Sequence, residues 1–129
     1  DSKKRLWTPT SYGVKLFHRS TKQFTSFHFS EKEKALPENF VVAIKETASK
    51  KIIASTWGGS ILIFNEEKML FEKMILFEEP MPRTNYINIV LDILPANEIL
   101  YCATSEGLVV INEQQINNST NNLIILFQI

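Results

Sequence analysis

The chain has 129 residues, of which 44% are hydrophobic and 22% are charged, and such proportions are typical of a folded globular domain rather than a disordered segment. Lys and Arg together number 14, and so do Asp and Glu, so no net charge favours nucleic acid or an anionic membrane as a partner. The longest apolar runs are far too short to span a bilayer, and a single cysteine excludes an internal disulfide and a multi-cysteine metal site.

The first residues, from Asp1 to Trp7, include neither an initiator Met nor the apolar core of a signal peptide. We therefore expect the chain to begin inside a longer protein. On that expectation, the missing signal peptide says little about the compartment in which the protein works.

A hairpin-like segment occurs three times along the chain, at an offset of 47 residues each time. Each copy has an apolar stretch, a short turn rich in Gly and Ser, and a second apolar stretch, which is the pattern of two β-strands joined by a tight turn. The alignment places Gly13, Ser60 and Gly107 in the same turn column. The copies read RLWTPTSYGVKLF from Arg5, IIASTWGGSILIF from Ile52 and ILYCATSEGLVVI from Ile99.

One repeat holds four short apolar or alternating segments, which we predict to be four strands; in the second unit they are 40–47, 52–57, 60–65 and 69–77. The first unit, 1–29, supplies three of them, because the chain begins after the innermost strand of that unit would have ended. The second unit, 40–77, is complete. The third unit, 86–129, contains an inserted polar stretch near 113–121 that we expect to be an exposed loop.

Four strands in a repeat of 47 residues is typical of one blade of a β-propeller. Strands such as 108–111 are apolar on both faces, which suits a blade stacked between two others. Helical repeats of similar length fit poorly, because no stretch combines apolar spacing near 3.6 with few β-branched residues. We therefore predict an all-β fold of four-stranded antiparallel β-propeller blades, which together form an incomplete propeller.

The stretch GVKLFHRSTKQFTSF, which starts at Gly13, resembles the two-component regulator propeller repeat. The pattern of that family runs Trp-x-Gly-Thr, Gly-Gly-Leu, an aromatic residue, a Thr-Gly or Thr-Lys turn and Phe, and the likeness extends over nearly the whole chain. The family forms the periplasmic sensor region of hybrid two-component histidine kinases of the Bacteroidetes type. The resemblance therefore implies a ligand-sensing or interaction segment of an extracytoplasmic sensor region, located in the periplasm and responding to a carbohydrate.

No set of side chains suggests a catalytic, metal or cofactor site, and we expect this segment not to be an enzyme. His18 and His28 have no carboxylate or Cys at ligand spacing. Cys102 lies in a predicted strand whose unit has no His, which indicates a small buried position rather than a nucleophile. The acidic pairs 66–67 and 78–79 fall at predicted strand ends, where solvated turns explain them better than paired catalytic carboxylates.

Equivalent turns of the three units must emerge on one face of the array, and the connections between units emerge there as well. This face gathers Tyr12, Trp57, Arg83 and Asn85. Aromatic rings beside guanidinium and amide groups suit an oligosaccharide, because sugars stack on rings and accept directional hydrogen bonds. The alternative for Trp57 is that its ring packs between blades.

The end blades of such an array would expose apolar faces, so we expect self-association or contact with neighbouring propeller blades. On the sensor interpretation, a ligand that bridges blades or subunits shifts the population between two arrangements of the sensor. The alternative function is a generic β-propeller scaffold for protein–protein interaction without a small ligand. Neither function involves nucleic acid or membrane contact by this segment.

Overall fold

Three antiparallel β-sheets make up the described part of the chain, which comprises residues 1–29, 39–75, 89–105, 107–117 and 125–128 of a computed structural model. In every sheet, strands that follow one another in sequence are also neighbours in space. Short turns explain this order for most of the strand pairs, and a longer connection, residues 113–124, joins the last two strands of the chain. The all-β fold class predicted from the sequence is confirmed.

The described strands are β1 to β3 in sheet 1, β4 to β7 in sheet 2 and β8 to β11 in sheet 3. Sheet 1 is formed by β1 (Leu6–Thr10), β2 (Gly13–His18) and β3 (Gln23–Phe27). Sheet 2 is formed by β4 (Val41–Glu46), β5 (Ile52–Thr56), β6 (Ser60–Asn65) and β7 (Leu70–Ile75). Sheet 3 is formed by β8 (Val90–Ala96), β9 (Ile99–Thr104), β10 (Gly107–Asn112) and β11 (Ile125–Gln128). The unit bounds 1–29, 40–77 and 86–129 stay a prediction, because the connections between sheets lie largely outside the described residues.

A core rich in aromatic side chains lies between sheets 1 and 2. One set of alternate residues on β5 and β6 contributes to it, because successive side chains of a strand point to opposite faces. The ring of Trp7 packs against Phe27, Phe64 and Phe71, with centroids 4.9 to 6.0 Å apart. The buried members of this aromatic core are Val14, Leu16, Phe27, Val41, Ile52, Ala54, Leu62 and Phe64.

The core between sheets 2 and 3 is aliphatic. It takes up the other set of alternate residues on β5 and β6, so sheet 2 is covered on both faces. The side chain of Lys45 also reaches across to sheet 3, where its Nζ lies 3.1 Å from Oδ1 of Asp92. The buried members of this aliphatic core are Ile53, Ile61, Val90, Ile93, Leu100, Cys102, Val109, Ile111 and Ile116. The buried position predicted for Cys102 is confirmed.

The prediction of an exposed loop near 113–121 is wrong for residues 113–117, and residues 118–121 lie outside the described residues. Glu113–Asn117 forms a short 3₁₀ helix, in which Glu113 and Ile116 are buried. Ile116 joins the aliphatic core, and Glu113 accepts a hydrogen bond from the backbone N–H of Ser49 in sheet 2. These two contacts hold the start of the segment against the sheets, which its polar composition does not indicate.

The turn between β5 and β6 is one residue longer than its counterparts, a difference that the sequence alignment does not show. Gly13 and Gly107, the first residues of β2 and β10, have φ values of 108° and 128°, whereas Ser60, the first residue of β6 in the same alignment column, does not have a positive φ. Gly59 takes over the left-handed conformation, with a φ of 80°. Gly13 has a second constraint, because a Cβ atom at this position would collide with the carbonyl oxygen of Phe27.

Candidate functional site

The three sheets share two edges of different chemistry. At one of them, called the polar edge, residues 1–5 and the turn 47–51 contact the residues that follow β6 and β10. Strands β1, β5 and β9 begin at the polar edge, so the turns that follow these strands gather at the opposite edge. This second edge, called the turn edge, comprises the turns 11–12 and 57–59 and residue 105. It is the edge at which the sequence predicts an oligosaccharide site.

A cluster of charged groups occupies the polar edge between sheets 1 and 2. The guanidinium of Arg5 donates to Glu66 at 2.8 Å and to Asp1 at 2.7 Å, and it lies 4.9 Å from the ring centroid of Trp7. Lys3 Nζ donates to Glu66 at 3.0 Å. The hydrogen bond from Arg5 is the main reason why the pKa of Glu66 lies below its usual value. The cluster links the sheets, but its exposed carboxylate limits its contribution to about 0.2–1 kcal/mol per pair.

Glu113 occupies the equivalent position between sheets 2 and 3, 47 residues after Glu66. Its carboxylate accepts hydrogen bonds from the backbone N–H of Ser49, at 3.1 Å, and from the Ser49 hydroxyl. Burial acts to raise the pKa of Glu113, but the hydrogen bonds from Ser49 and Thr47 together outweigh it and hold the pKa below its usual value. Both carboxylates therefore attach one sheet to the turn of the sheet before it.

Threonine hydroxyls shape the turn edge. Thr10, Thr56 and Thr104 are the last residues of β1, β5 and β9. The hydroxyls of Thr10 and Thr104 donate to the carbonyl oxygens of Gly13 and Gly107, at 2.9 and 2.8 Å. The hydroxyl of Thr56 instead accepts from the N–H of Ser60, at 3.1 Å. Because each hydroxyl bonds to the backbone of its own turn, the turn residues project outwards from the sheet edge.

Trp57 lies in such a turn and keeps 37% of its surface exposed. Its backbone N–H donates to the carbonyl oxygen of Phe40 at 2.8 Å, and the two rings are 5.6 Å apart and inclined by 58°. Phe40 is itself 43% exposed. The pair forms an apolar platform at the turn edge, and Trp57 belongs to neither of the two cores.

Tyr12 lies in the equivalent turn of sheet 1 and is 54% exposed. The backbone around it is well anchored, because its N–H donates to Oγ1 of Thr10 at 3.1 Å and its carbonyl oxygen accepts from Nδ1 of His28 at 2.6 Å. The ring therefore projects from a fixed backbone. Arg83 and Asn85, the other two predicted ligand-binding residues, lie outside the described residues, so the predicted site stays a prediction.

Two residues of the turn edge were not predicted from the sequence. The sequence indicates Phe40 only as the start of a strand, and its contact with Trp57 depends on the pairing of β4 with β5. Asn39 is 1% exposed, and its side-chain oxygen accepts from the N–H of Phe29 at 2.9 Å. The sequence signal for both residues is a polar residue followed by an aromatic one directly before β4, the first strand of sheet 2.

Cys102 and His18, the other candidate reactive side chains, occupy structural positions. Burial raises the pKa of the Cys102 thiol to about 12, so the thiolate needed for nucleophilic chemistry does not form at neutral pH. Nε2 of His18 lies 2.7 Å from the hydroxyl of Thr25. Among the described residues, no group of three or more His, Cys, Asp or Glu side chains is arranged to hold a metal ion. No helix in the same residues has the length and apolarity to cross a membrane.

The chain matches no protein-family model and no curated protein. Its structure superposes over its full length on the extracellular domain of the hybrid two component system BT4673 from B. thetaiotaomicron, with a TM-score of 0.75 and 20% sequence identity. A second structure of the BT4673 extracellular domain, described as part of a one component system, gives a TM-score of 0.76 and 19% identity. The chain spans 18% of the length of each of these two structures.

Two further structures have the same arrangement of sheets. The extracellular domain of the hybrid two component system BT3049 from B. thetaiotaomicron matches 95% of this chain and 16% of its own length, with a TM-score of 0.63 and 15% identity. A chain of the mitotic checkpoint complex matches 93% of this chain and 32% of its own length, with a TM-score of 0.62 and 10% identity. Together these likenesses confirm the predicted fold, a run of β-propeller blades.

Proposed function

We propose that this chain is a segment of the ligand-sensing region of a hybrid two-component regulator, located in the periplasm, and that it binds an oligosaccharide at the turn edge. The observation that carries the proposal is the superposition of the whole chain on the extracellular domain of BT4673, at a TM-score of 0.75. The sequence resemblance to the two-component regulator propeller repeat supports the same function independently of the coordinates.

The turn edge supports the ligand class. The rings of Trp57 and Phe40 are in contact and both are exposed, so a sugar ring can stack on them from the solvent side. Tyr12 adds a second exposed ring with a hydroxyl that donates or accepts a hydrogen bond. Arg83 and Asn85 are the other two members of the proposed site and lie outside the described residues. A ligand that bridges two turns favours the arrangement of blades in which both contacts form.

Fluorescence of the two tryptophans provides a direct test. The sequence contains only Trp7 and Trp57, so the Trp7→Phe variant leaves Trp57 as the sole reporter. We expect oligosaccharides from a panel of plant and animal polysaccharides to shift the emission of Trp57, because stacking removes its ring from water. Tyr12→Ala should weaken that binding about tenfold, or about 1.4 kcal/mol. Phe24→Ala is the matched control, because Phe24 is also an exposed ring but lies in β3, away from the turn edge.

The result that contradicts the proposal is an emission of Trp57 that no member of the panel changes while circular dichroism shows a folded protein. The alternative, a scaffold for protein–protein interaction, would then be favoured. The exposed apolar side chains on the outer faces of sheets 1 and 3, such as Phe24 and Leu94, are the observation that supports this alternative.

A further inference from the structure

His28 is an exposed side chain of the turn edge that does not belong to the predicted site. It directly follows β3, and its Nδ1 lies 2.6 Å from the carbonyl oxygen of Tyr12, in the turn between β1 and β2. Because a carbonyl oxygen can only accept a hydrogen bond, Nδ1 carries the hydrogen and donates it. The imidazole ring therefore joins the end of β3 to the turn that presents the ring of Tyr12.

The backbone of Tyr12 is bonded on both sides. Its N–H donates to Oγ1 of Thr10 at 3.1 Å, and the Thr10 hydroxyl donates in turn to the carbonyl oxygen of Gly13 at 2.9 Å. These two bonds lie within the turn, whereas the bond from His28 links the turn to a third strand. With both of its peptide groups held, Tyr12 has a fixed direction of its Cα–Cβ bond, and its ring remains 54% exposed.

A close approach of β3 to the turn brings His28 within reach of Tyr12. Gly13 is the first residue of β2, and a Cβ atom at this position would collide with the carbonyl oxygen of Phe27, the last residue of β3. The end of β3 can lie against the turn because position 13 has no side chain. His28 is the next residue along the chain, so its ring lies beside the turn.

The corresponding turns of sheets 2 and 3 are bonded from the opposite side. The N–H of Trp57 donates to the carbonyl oxygen of Phe40 at 2.8 Å, and the N–H of Ser105 donates to that of Ile89 at 3.1 Å. Phe40 and Ile89 directly precede β4 and β8, the first strands of their sheets. In sheet 1 the bond comes from the residue after the last strand, and its donor is a side chain. A substitution can therefore remove it without changing the backbone.

We propose that His28 is a positioning residue of the turn edge, whose Nδ1 holds the turn of sheet 1 in one conformation and so presents the ring of Tyr12 to a sugar ligand. This role rests on the oligosaccharide binding proposed above. A ligand that meets a ring already held in place loses less conformational freedom than one that must order the ring, and the difference contributes to affinity. His28 acts through Tyr12 and does not itself touch the ligand.

Titration followed by the emission of Trp57, in the Trp7→Phe background, tests this role in binding. His28→Ala should weaken oligosaccharide binding about three- to tenfold, the range of one hydrogen bond. In the Tyr12→Ala background the same substitution should have no further effect, because the ring that His28 positions is absent. His28→Asn should recover most of the affinity, since its amide nitrogen is attached to Cγ, as Nδ1 is, and can donate to the same carbonyl oxygen.

The order of the turn backbone provides a second test, which needs no ligand. The N–H of Gly13 belongs to the same peptide group as the carbonyl of Tyr12, and nitrogen-15 relaxation of the full chain measures its order parameter. We expect about 0.85 in the wild-type protein and a fall to about 0.6 or less in His28→Ala. His18→Ala is the matched control for both tests, because His18 is the other histidine of sheet 1 but ends β2 at the polar edge.

Three results overturn the proposal, each with circular dichroism showing a folded variant. One is an unchanged order parameter in His28→Ala, which would mean that the turn does not need this bond. The second is unchanged affinity in His28→Ala when the wild-type protein binds. The third is an equal loss of affinity with and without the ring of Tyr12, which would mean that His28 does not act through it. A wild-type protein that binds no oligosaccharide contradicts the proposed function instead, and the order parameter then decides alone whether His28 holds the turn.

Discussion

The two cores of this protein are built from the same repeat but differ in their side chains. Between sheets 1 and 2, aromatic rings meet edge to face, as for Trp7 and Phe64 at 4.9 Å and 65°. Between sheets 2 and 3, branched aliphatic side chains fill the space, and Ile111 stands at the alignment position of Phe64. The repeat therefore conserves apolar character at this position but not shape, and each core is packed from its own set of complementary side chains.

The largest effect is expected for Phe64→Ala. The ring of Phe64 contacts Trp7, Phe27 and Phe71, and its removal should lower the free energy of unfolding by about 3–5 kcal/mol, through lost burial and the cavity that remains. Urea unfolding followed by circular dichroism measures this loss. Phe24→Ala, measured at low protein concentration, is the control, since a ring that is 55% exposed should contribute about 1 kcal/mol or less. Equal losses for the two variants would contradict the burial of Phe64 in the aromatic core.

The difference between the cores is tested by Ile111→Phe. If the cores were interchangeable, a phenylalanine at the position corresponding to Phe64 would be tolerated. We expect a loss of about 1–3 kcal/mol instead, because Ile111 is fully buried among aliphatic side chains, and a larger ring there would overpack the core. Ile111→Val, with an expected cost of about 0.5–1.5 kcal/mol, is the control. It removes volume instead of adding it and so shows how much of the loss in Ile111→Phe comes from overpacking. A stabilising effect of Ile111→Phe would show that the aliphatic core has unfilled space.

The two glutamates of the polar edge, Glu66 and Glu113, should differ in how much each one stabilises the fold. Glu113→Ala removes a buried carboxylate that accepts hydrogen bonds from the N–H and the hydroxyl of Ser49 and should cost about 1–3 kcal/mol, whereas Glu66→Ala breaks exposed ion pairs and should cost about 0.2–1 kcal/mol. The pKa of each carboxyl is lowered in the folded state. Their contribution to stability is therefore present above the ordinary pKa of about 4.3 and is lost as the pH falls through the lower folded-state value.

Unfolding measured between about pH 6 and pH 2.5 checks this sign. The wild-type protein should lose stability as the pH falls below about 5, and Glu113→Ala should make that loss smaller. A variant with an unchanged pH profile would show that Glu113 is not held as an anion by Ser49.

The rate at which the Cys102 thiol is labelled reports on the aliphatic core without any substitution in that core. With burial raising the pKa of its thiol to about 12, labelling by a maleimide at pH 8 should be about a thousandfold slower than in denatured protein. In Phe64→Ala, continued protection of Cys102 would mean that the aliphatic core survives damage to the aromatic one. Rapid labelling in folded wild-type protein would contradict the burial of Cys102.

Much of the fold was predictable because the information for a hairpin is local. The alternation of apolar residues and the small residues of each turn lie within about a dozen positions, so the strands of sheet 2 were predicted to within two residues at each end. The candidate site was less accessible. Tyr12 and Trp57 were found because both lie in turns, but Phe40 was missed because its contact with Trp57 joins residues 17 positions apart.

The sequence by itself determined the repeat, the antiparallel strands and the apolar character of each strand position, since short-range pattern and turn chemistry carry that information. Only the tertiary structure decided which sheet face covers which, that Glu113 lies buried against Ser49, and that Phe40 packs against Trp57. The physical reason is that apolar patterning shows that a face must be covered, whereas the identity of the cover depends on shape and charge brought together from distant parts of the chain.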